Sequence, residues 1–145
     1  FAVVGCVYDR AHTRHIPDLG GFVQKMPVVA IAFIIGGLVS MGMPGLSGFV
    51  AELQIFIGVW RTYPVVAAIS ALGIVITAAY ILRVVQHVFF GSLKPEFEHV
   101  GDVTILDKVA LLILCAILIV VGVYPSIMMN LINTGVMPIV ARLGG

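Results

Sequence analysis

Hydrophobic residues form long runs along this chain, and polar residues are concentrated in two segments between them. The first eight residues are apolar but too few for a membrane-spanning helix, which needs about 20, so they predict the end of a helix. Four longer runs are bounded by proline, glycine or charged residues, which predicts helical spans. The predicted elements are the helix end at 1–8, spans at about 27–42, 45–61, 64–90 and 109–124, and a C-terminal tail at 125–145.

The two polar segments, residues 9–26 and 92–108, are rich in charge and contain proline and glycine. We predict them as loops outside the hydrocarbon, on opposite faces of the membrane. Lys and Arg near the ends of spans indicate the cytoplasmic side, but the two loops carry similar numbers. Charge therefore leaves the orientation undecided.

A break in the apolar pattern occurs at MPGLSG, residues 43–48. Pro44 removes a backbone donor, and the glycines around it are poor helix formers. Ser47 is a residue type that caps helix starts. The pattern predicts that one helix ends near residue 42 and another begins near residue 45, either as a broken helix at membrane depth or as a tight turn at the surface.

Composition places the chain in the membrane. Of its 145 residues, 61% are hydrophobic and 10% are charged, whereas a soluble domain has about 25% charged residues. We therefore expect a single integral membrane domain over residues 1–145, cut from a longer protein within a helix. The net charge of +1 shows no basic excess for nucleic acid. Cys6 and Cys115 have no CxxC spacing and read as buried apolar residues.

Glu52 is the only charged residue between Lys25 and Arg61. A charge at the centre of a membrane helix costs roughly 2.5–3.5 kcal/mol on insertion scales. Desolvation favours the neutral, protonated carboxyl, which brings protonation towards physiological pH, as a proton carrier requires. The alternative is a neutral, hydrogen-bonded Glu with a purely structural role.

Arg83 and His87 lie one helical turn apart near the end of the third span. Arg83 can extend to the headgroups, whereas His87 titrates near neutral pH and can relay protons. Tyr80, one turn earlier, would extend such a chain of hydrogen-bonding groups. His12 and His15 lie in a charged loop and are interpreted as solvated, so no metal site is predicted. No motif for binding a nucleotide or flavin appears.

Four blocks in order, VYDRAHTR, GGFVQKMP, SMGMPGLSGFVAEL and VFFG, resemble the antiporter-like subunits of respiratory complex I. The resemblance is to the family of NADH-quinone oxidoreductase subunit M, whose mitochondrial counterpart is NADH dehydrogenase subunit 4. It covers the first two thirds of the chain well, and the last span only by hydropathy and the GVYP turn. Ala51 replaces the usual Gly or Ser and Leu53 replaces Phe, which are small changes of packing.

The resemblance implies an all-α, polytopic transmembrane bundle with discontinuous helices, of which this chain is the C-terminal portion. It implies that Glu52 is the terminal member of a chain of ionisable residues through the middle of the membrane. Related L-type, N-type and Mrp subunits place a Lys there, so the acid favours the M type. Arg83 and His87 would fall in a helix that helps the proton outlet.

The implied function is proton translocation as a membrane-arm subunit of NADH:quinone oxidoreductase, coupling electron transfer in other subunits to proton export. No redox-active site or cofactor is expected in this chain, and NADH, FMN, iron–sulfur clusters and quinone belong to other subunits. Expected partners are the L-type and N-type subunits, the lipid bilayer and protons. A bacterial or archaeal plasma membrane is expected, with the mitochondrial inner and thylakoid membranes as alternatives.

Two other functions remain open. One is a subunit of an Mrp-type cation/proton antiporter or a membrane-bound hydrogenase of the same superfamily. The other is a passive membrane scaffold in which Glu52 only packs and accepts hydrogen bonds.

Overall fold

A computed structural model describes residues 1–142, so the last three residues of the predicted tail lie outside the described part. The described chain is all-helical, with three short 3-10 turns in its loops. Its six α-helices are α1 (Ala2–Ala11), α2 (Pro27–Ser40), α3 (Ser47–Thr62), α4 (Pro64–Val88), α5 (Ile105–Val123) and α6 (Ser126–Arg142). The 3-10 turns are Ile16–Asp18, Phe22–Gln24 and Pro95–Phe97.

Helix starts follow local signals. Pro27 and Pro64 occupy the first turns of α2 and α4, where the missing N–H has no helical partner anyway. α5 begins four residues before the predicted residue 109, because Thr104 and Asp107 form a reciprocal capping box. The Asp107 N–H donates to Thr104 Oγ1 (3.3 Å), and the Thr104 N–H donates to Asp107 Oδ2 (3.2 Å).

α4 and α5 are each long and apolar enough to cross a membrane. With a rise of 1.5 Å per residue they measure about 37 and 28 Å, against a hydrocarbon core of about 30 Å. Most of their large apolar side chains are exposed within this chain. Helices apolar on all sides, rather than on one stripe, are suited to lipid or to neighbouring membrane helices.

α2 and α3 run in the same direction. The junction between them is residues 41–46. Across it Val39 lies against Gly48, and Gly42 lies against Glu52, so residue numbers increase in the same direction along both helices. In an antiparallel hairpin, residue numbers would increase along one helix and decrease along the other.

The lengths of α2 and α3 agree with this arrangement, since at about 21 and 24 Å neither reaches across the hydrocarbon core alone. α4 packs against both helices. Its last third meets α2, where Ile81 contacts Gly37 and the rings of Phe89 and Phe33 lie 5.1 Å apart. The predicted spans at 27–42 and 45–61 correspond to α2 and α3, and their stacking favours one interrupted crossing.

The two loops lie against each other, so the expectation that they occupy opposite faces is wrong. Lys25 Nζ donates to the carbonyl of Glu98 and Lys94 Nζ to that of Pro17, both at 2.7 Å. The Val23 N–H donates to the carbonyl of Phe89 (3.1 Å). We call this end of the bundle the loop face, and the end that carries Tyr63, between α3 and α4, the opposite face.

The best-packed core of the chain lies at the loop face. Its largest fully buried side chains are Phe22, Met26, Val29 and Phe89, and Phe22 packs on Phe97 with ring centroids 5.1 Å apart. The loops therefore form a cap with a hydrophobic core rather than free connections.

Candidate functional site

The junction between α2 and α3 is a defined turn. α2 ends in a Schellman motif, in which Gly42 has φ +67° and its N–H donates to the Val39 carbonyl (3.1 Å). The Met43 N–H reaches the Leu38 carbonyl (3.0 Å). Glycine suits this position because the left-handed conformation is strained for residues with a Cβ. Two carbonyls at the end of α2, which have no partner within the helix, thus accept hydrogen bonds from the turn in the middle of a crossing.

α3 starts at Ser47 directly after the junction. The expected Ser47 cap is not formed: the cap position is Leu46, and no side chain bonds to the first turn. Exposed N–H groups at the start of a helix retain partial positive charge. Polar backbone therefore remains at membrane depth, which is tolerated where it is buried in protein or lines a water-filled cavity.

Glu52 lies in the second turn of α3 and is half-buried. Its carboxylate packs on the backbone of Gly42, at the place where a side chain of that residue would be. Among the described residues, no hydrogen-bond donor or cation is recorded against this carboxylate. The structure thus brings together the lone acid and the interrupted backbone, two features that the sequence indicated separately.

Arg83 and His87 lie elsewhere, in the last turns of α4 at the loop face. The Nδ1–H of His87 donates to the Arg83 carbonyl (2.8 Å), because a carbonyl can only accept. In the neutral ring this leaves Nε2 as the acceptor. Ile81 on α4 lies at the level of Gly37 on α2. Arg83 and His87 come later on α4, towards the loop face, so they are farther from the junction than Gly37. The structure does not bring them to Glu52.

Tyr80 is closer to the junction than that pair. It lines a cavity of about 320 Å³ together with Gly36, Gly37, Ser40 and Ile81. The Ser40 hydroxyl donates to the Gly36 carbonyl (3.1 Å) and lies two residues before Gly42. Ser40 was not identified from the sequence, because a single serine in an apolar run gives no signal until its neighbour on α4 is known.

The loop face carries the other polar contacts. His15 Nδ1 lies 3.0 Å from Asp18 Oδ2 on the exposed surface. Within residues 1–142, no three His, Cys, Asp or Glu side chains are grouped as metal ligands. Lys108 Nζ lies 2.5 Å from Asp102 Oδ2. The hydrogen bond from Lys108, assisted by the Val103 N–H (2.8 Å), lowers the pKa of Asp102 below its ordinary value.

Comparisons with known proteins agree with this fold. Residues 1–77 match the family described as NADH:quinone oxidoreductase/Mrp antiporter, transmembrane. The chain is 37% identical over 137 residues to NADH-quinone oxidoreductase subunit M of Rhodobacter capsulatus, covering 94% of this chain and 27% of that protein. It is 34% identical to NAD(P)H-quinone oxidoreductase chain 4 2 of Synechococcus sp. (strain JA-3-3Ab), covering 99% and 29%.

Solved structures give the same result. A chain of respiratory complex I from Thermus thermophilus with bound NADH matches with a TM-score of 0.77 and 30% identity, over 85% of this chain and 26% of that one. A chain of the Mrp complex from Dietzia sp. DQ12-45-1b matches with a TM-score of 0.80 at 18% identity, over 90% of this chain and 32% of that one, which shows the fold alone.

This chain spans just over a quarter of the length of the curated relatives it matches. Their names confirm the resemblance to subunit M, which extends over most of the chain rather than its first two thirds. The chain belongs to the NADH:quinone oxidoreductase/Mrp antiporter transmembrane family.

Proposed function

We propose that this chain is part of the M-type membrane subunit of a proton-translocating NADH:quinone oxidoreductase, and that Glu52 carries protons in it. The observation that carries the proposal is a lone, half-buried carboxylate lying on an interrupted helix in mid-crossing. Intramembrane carboxylates facing a protein interior mark proton or ion pathways. Broken helices beside them are typical of transporter sites.

Glu52 would act by changing its protonation. Desolvation favours the neutral form of a carboxyl, and an approaching cation favours its ionised form. Charge changes on neighbouring ionisable groups of the whole subunit would therefore drive Glu52 to release a proton, and their reversal would let it take one up. Moving one charge against 100 mV requires about 2.3 kcal/mol, a magnitude that a single charge pair within a protein can supply.

Arg83 and His87 form the second part of the proposal, as groups at the outlet of the path. The hydrogen bond from Nδ1 of His87 to the Arg83 carbonyl supports a relay role, since it leaves Nε2 as the hydrogen-bond acceptor of the neutral ring. A path through this pair opens at the loop face. The pair forms an outlet only if that face is the one on which protons leave.

The remaining parts of the complex follow from the proposed identity. L-type and N-type antiporter-like subunits would be the neighbours of this subunit in the membrane. NADH, FMN, iron–sulfur clusters and quinone would be held by other subunits, and the membrane would be a bacterial or archaeal plasma membrane. A cation/proton antiporter is the second candidate, favoured by the fold shared with the Mrp complex. The acid at position 52, where Mrp subunits place a Lys, favours the first candidate.

The test is proton pumping by the intact complex in sealed vesicles, comparing wild type with Glu52→Gln. Gln keeps the shape and hydrogen bonding of Glu but cannot titrate, so we expect pumping and coupled turnover to fall by about tenfold or more. Glu96→Gln makes the same chemical change on the exposed loop and should have no effect. His87→Gln in the same assay tests the second part of the proposal.

Normal pumping by Glu52→Gln, in a complex that assembles normally, would show that the carboxyl is structural. An equal loss of pumping by Glu96→Gln would show that the loss in Glu52→Gln is not specific to the position of Glu52. Normal pumping by His87→Gln would remove that residue from the path and leave Glu52 in place.

A further inference from the structure

Gly42 is the residue on which the Glu52 carboxylate lies. A Cβ built on Gly42 would overlap Oε2 of Glu52 and come within 3.2 Å of its carboxyl carbon. The Glu52 carboxylate therefore fills the space that a side chain at position 42 would take.

Other glycines at the junction have different surroundings. Gly45 has φ +90°, but a Cβ there meets nothing within 4 Å. Gly48 lets α3 approach the backbone at Val39, and Gly122 lets α5 approach the backbone of Leu46. Of these four glycines, Gly42 alone makes room for an ionisable side chain.

We propose that Gly42 is a positioning residue whose missing side chain forms the seat of the Glu52 carboxylate. This rests on the proposed function, in that Glu52 is the group that carries the proton. Proton transfer requires heavy atoms within about 2.6–3.2 Å of each other, directly or through one water. A methyl group at position 42 would displace the carboxylate from the position that it occupies in the structure, and proton transfer is sensitive to a displacement of about 1 Å.

The decisive comparison is Gly42→Ala against Gly45→Ala in the intact complex. Both substitutions place a Cβ at a left-handed position, so both carry backbone strain, but only the first collides with Glu52. We expect pumping per assembled complex to fall about tenfold or more in Gly42→Ala, and less than about twofold in Gly45→Ala. Equal losses in the two variants would overturn the proposal, since strain alone would explain them.

A compensating variant provides the second test. Asp is shorter than Glu by one carbon–carbon bond, about 1.5 Å, so Glu52→Asp retracts the carboxylate and leaves room for a methyl group. We expect Gly42→Ala to reduce pumping much less in the Glu52→Asp background than in the wild type. Independent, multiplicative losses would contradict a shared seat.

Assembly gives a further readout. If Gly42→Ala alone prevents assembly, the double variant Gly42→Ala with Glu52→Asp decides: restored assembly supports the seat, and continued failure overturns it.

Chemical labelling distinguishes the positioning role of Gly42 from the proton-carrying role of Glu52. Dicyclohexylcarbodiimide modifies protonated carboxyls, and the modified Glu52 peptide can be followed by mass spectrometry as a function of pH. A midpoint that differs between Gly42→Ala and Gly45→Ala supports the seat even if Glu52→Gln pumps normally, and coincident midpoints count against it.

Discussion

The ion pair between Asp102 and Lys108 joins the second loop to the first turn of α5 at the loop face. About a third of each side chain is exposed, so solvent screens the pair and its contribution to stability is modest. The contribution of the pair to the free energy of unfolding depends on pH, because the pKa of Asp102 is lowered in the folded chain.

We expect this contribution to be complete above the unfolded carboxyl pKa of about 4 and to be lost as the pH falls through the lower folded value. Asp102→Asn removes the titrating group. The thermal midpoint of the wild-type protein in detergent should therefore exceed that of Asp102→Asn above about pH 4, and the difference should shrink in acid. A wild-type advantage that grows on acidification would contradict the assignment, and Glu96→Gln is the control.

At the residue scale, the sequence identifies Glu52 but not its seat. A single charge in an apolar run is visible without any knowledge of the fold. Gly42 precedes Glu52 by ten residues, and glycine at a helix end has the ordinary explanation of a left-handed cap. That the same position also faces the carboxylate depends on α3 overlapping the end of α2, which no local pattern encodes.

At the element scale, the start of α5 shows two sequence features that favour different boundaries for the helix. Thr104 and Asp107 have the spacing of a capping box, but the charges of Asp107 and Lys108 favour a loop. The box satisfies two orphan backbone donors and extends the helix towards the loop face. The interruption between α2 and α3 was predicted from Pro44 and the adjacent glycines, whereas the direction of α3 after it was not.

Thr104→Ala should loosen the first turn of α5, at a cost of about 1 kcal/mol for a lost N-cap. The backbone N–H groups of Asp107 and Lys108 donate to Thr104 Oγ1 and to the Thr104 carbonyl. Their hydrogen exchange should become faster by about fivefold, the factor that 1 kcal/mol represents. Thr104→Ser keeps the capping oxygen and should preserve the wild-type rates. Equal acceleration in both variants would indicate loss of side-chain packing instead of the cap.

At the scale of the whole molecule, the number of crossings between the two loops decides their relative position. Three separate spans would place the loops on opposite faces, whereas one interrupted crossing followed by α4 returns the chain to the face it left. Both loops then contribute to one side, which carries Arg10, Arg14, Lys25, Lys94 and Lys108. Arg61 is at the opposite face. The positive-inside rule now assigns the loop face to the cytoplasm. The proposed proton export takes protons up on that side, so on this assignment Arg83 and His87 lie at the entry of a proton path and not at its outlet.

Labelling with a membrane-impermeant maleimide tests this topology. In a background lacking Cys6 and Cys115, Pro17→Cys and Glu96→Cys should both react only from the cytoplasmic side of sealed vesicles. Tyr63→Cys should react only from the other side. Labelling of the two loop positions from different sides would restore three separate crossings and refute the interrupted one. The result also shows on which side a path through Arg83 and His87 would open.

The packed cap at the loop face gives the two loops a hydrophobic core of their own. Loops are ordinarily the regions that open first, and spans the regions that resist. Here the side chains of Phe22, Met26 and Phe89 are fully enclosed at the loops, while α4 and α5 expose most of their apolar surface. The cap therefore holds the ends of α1, α2, α4 and α5 together through apolar contacts of its own, which do not depend on the lipid around the spans.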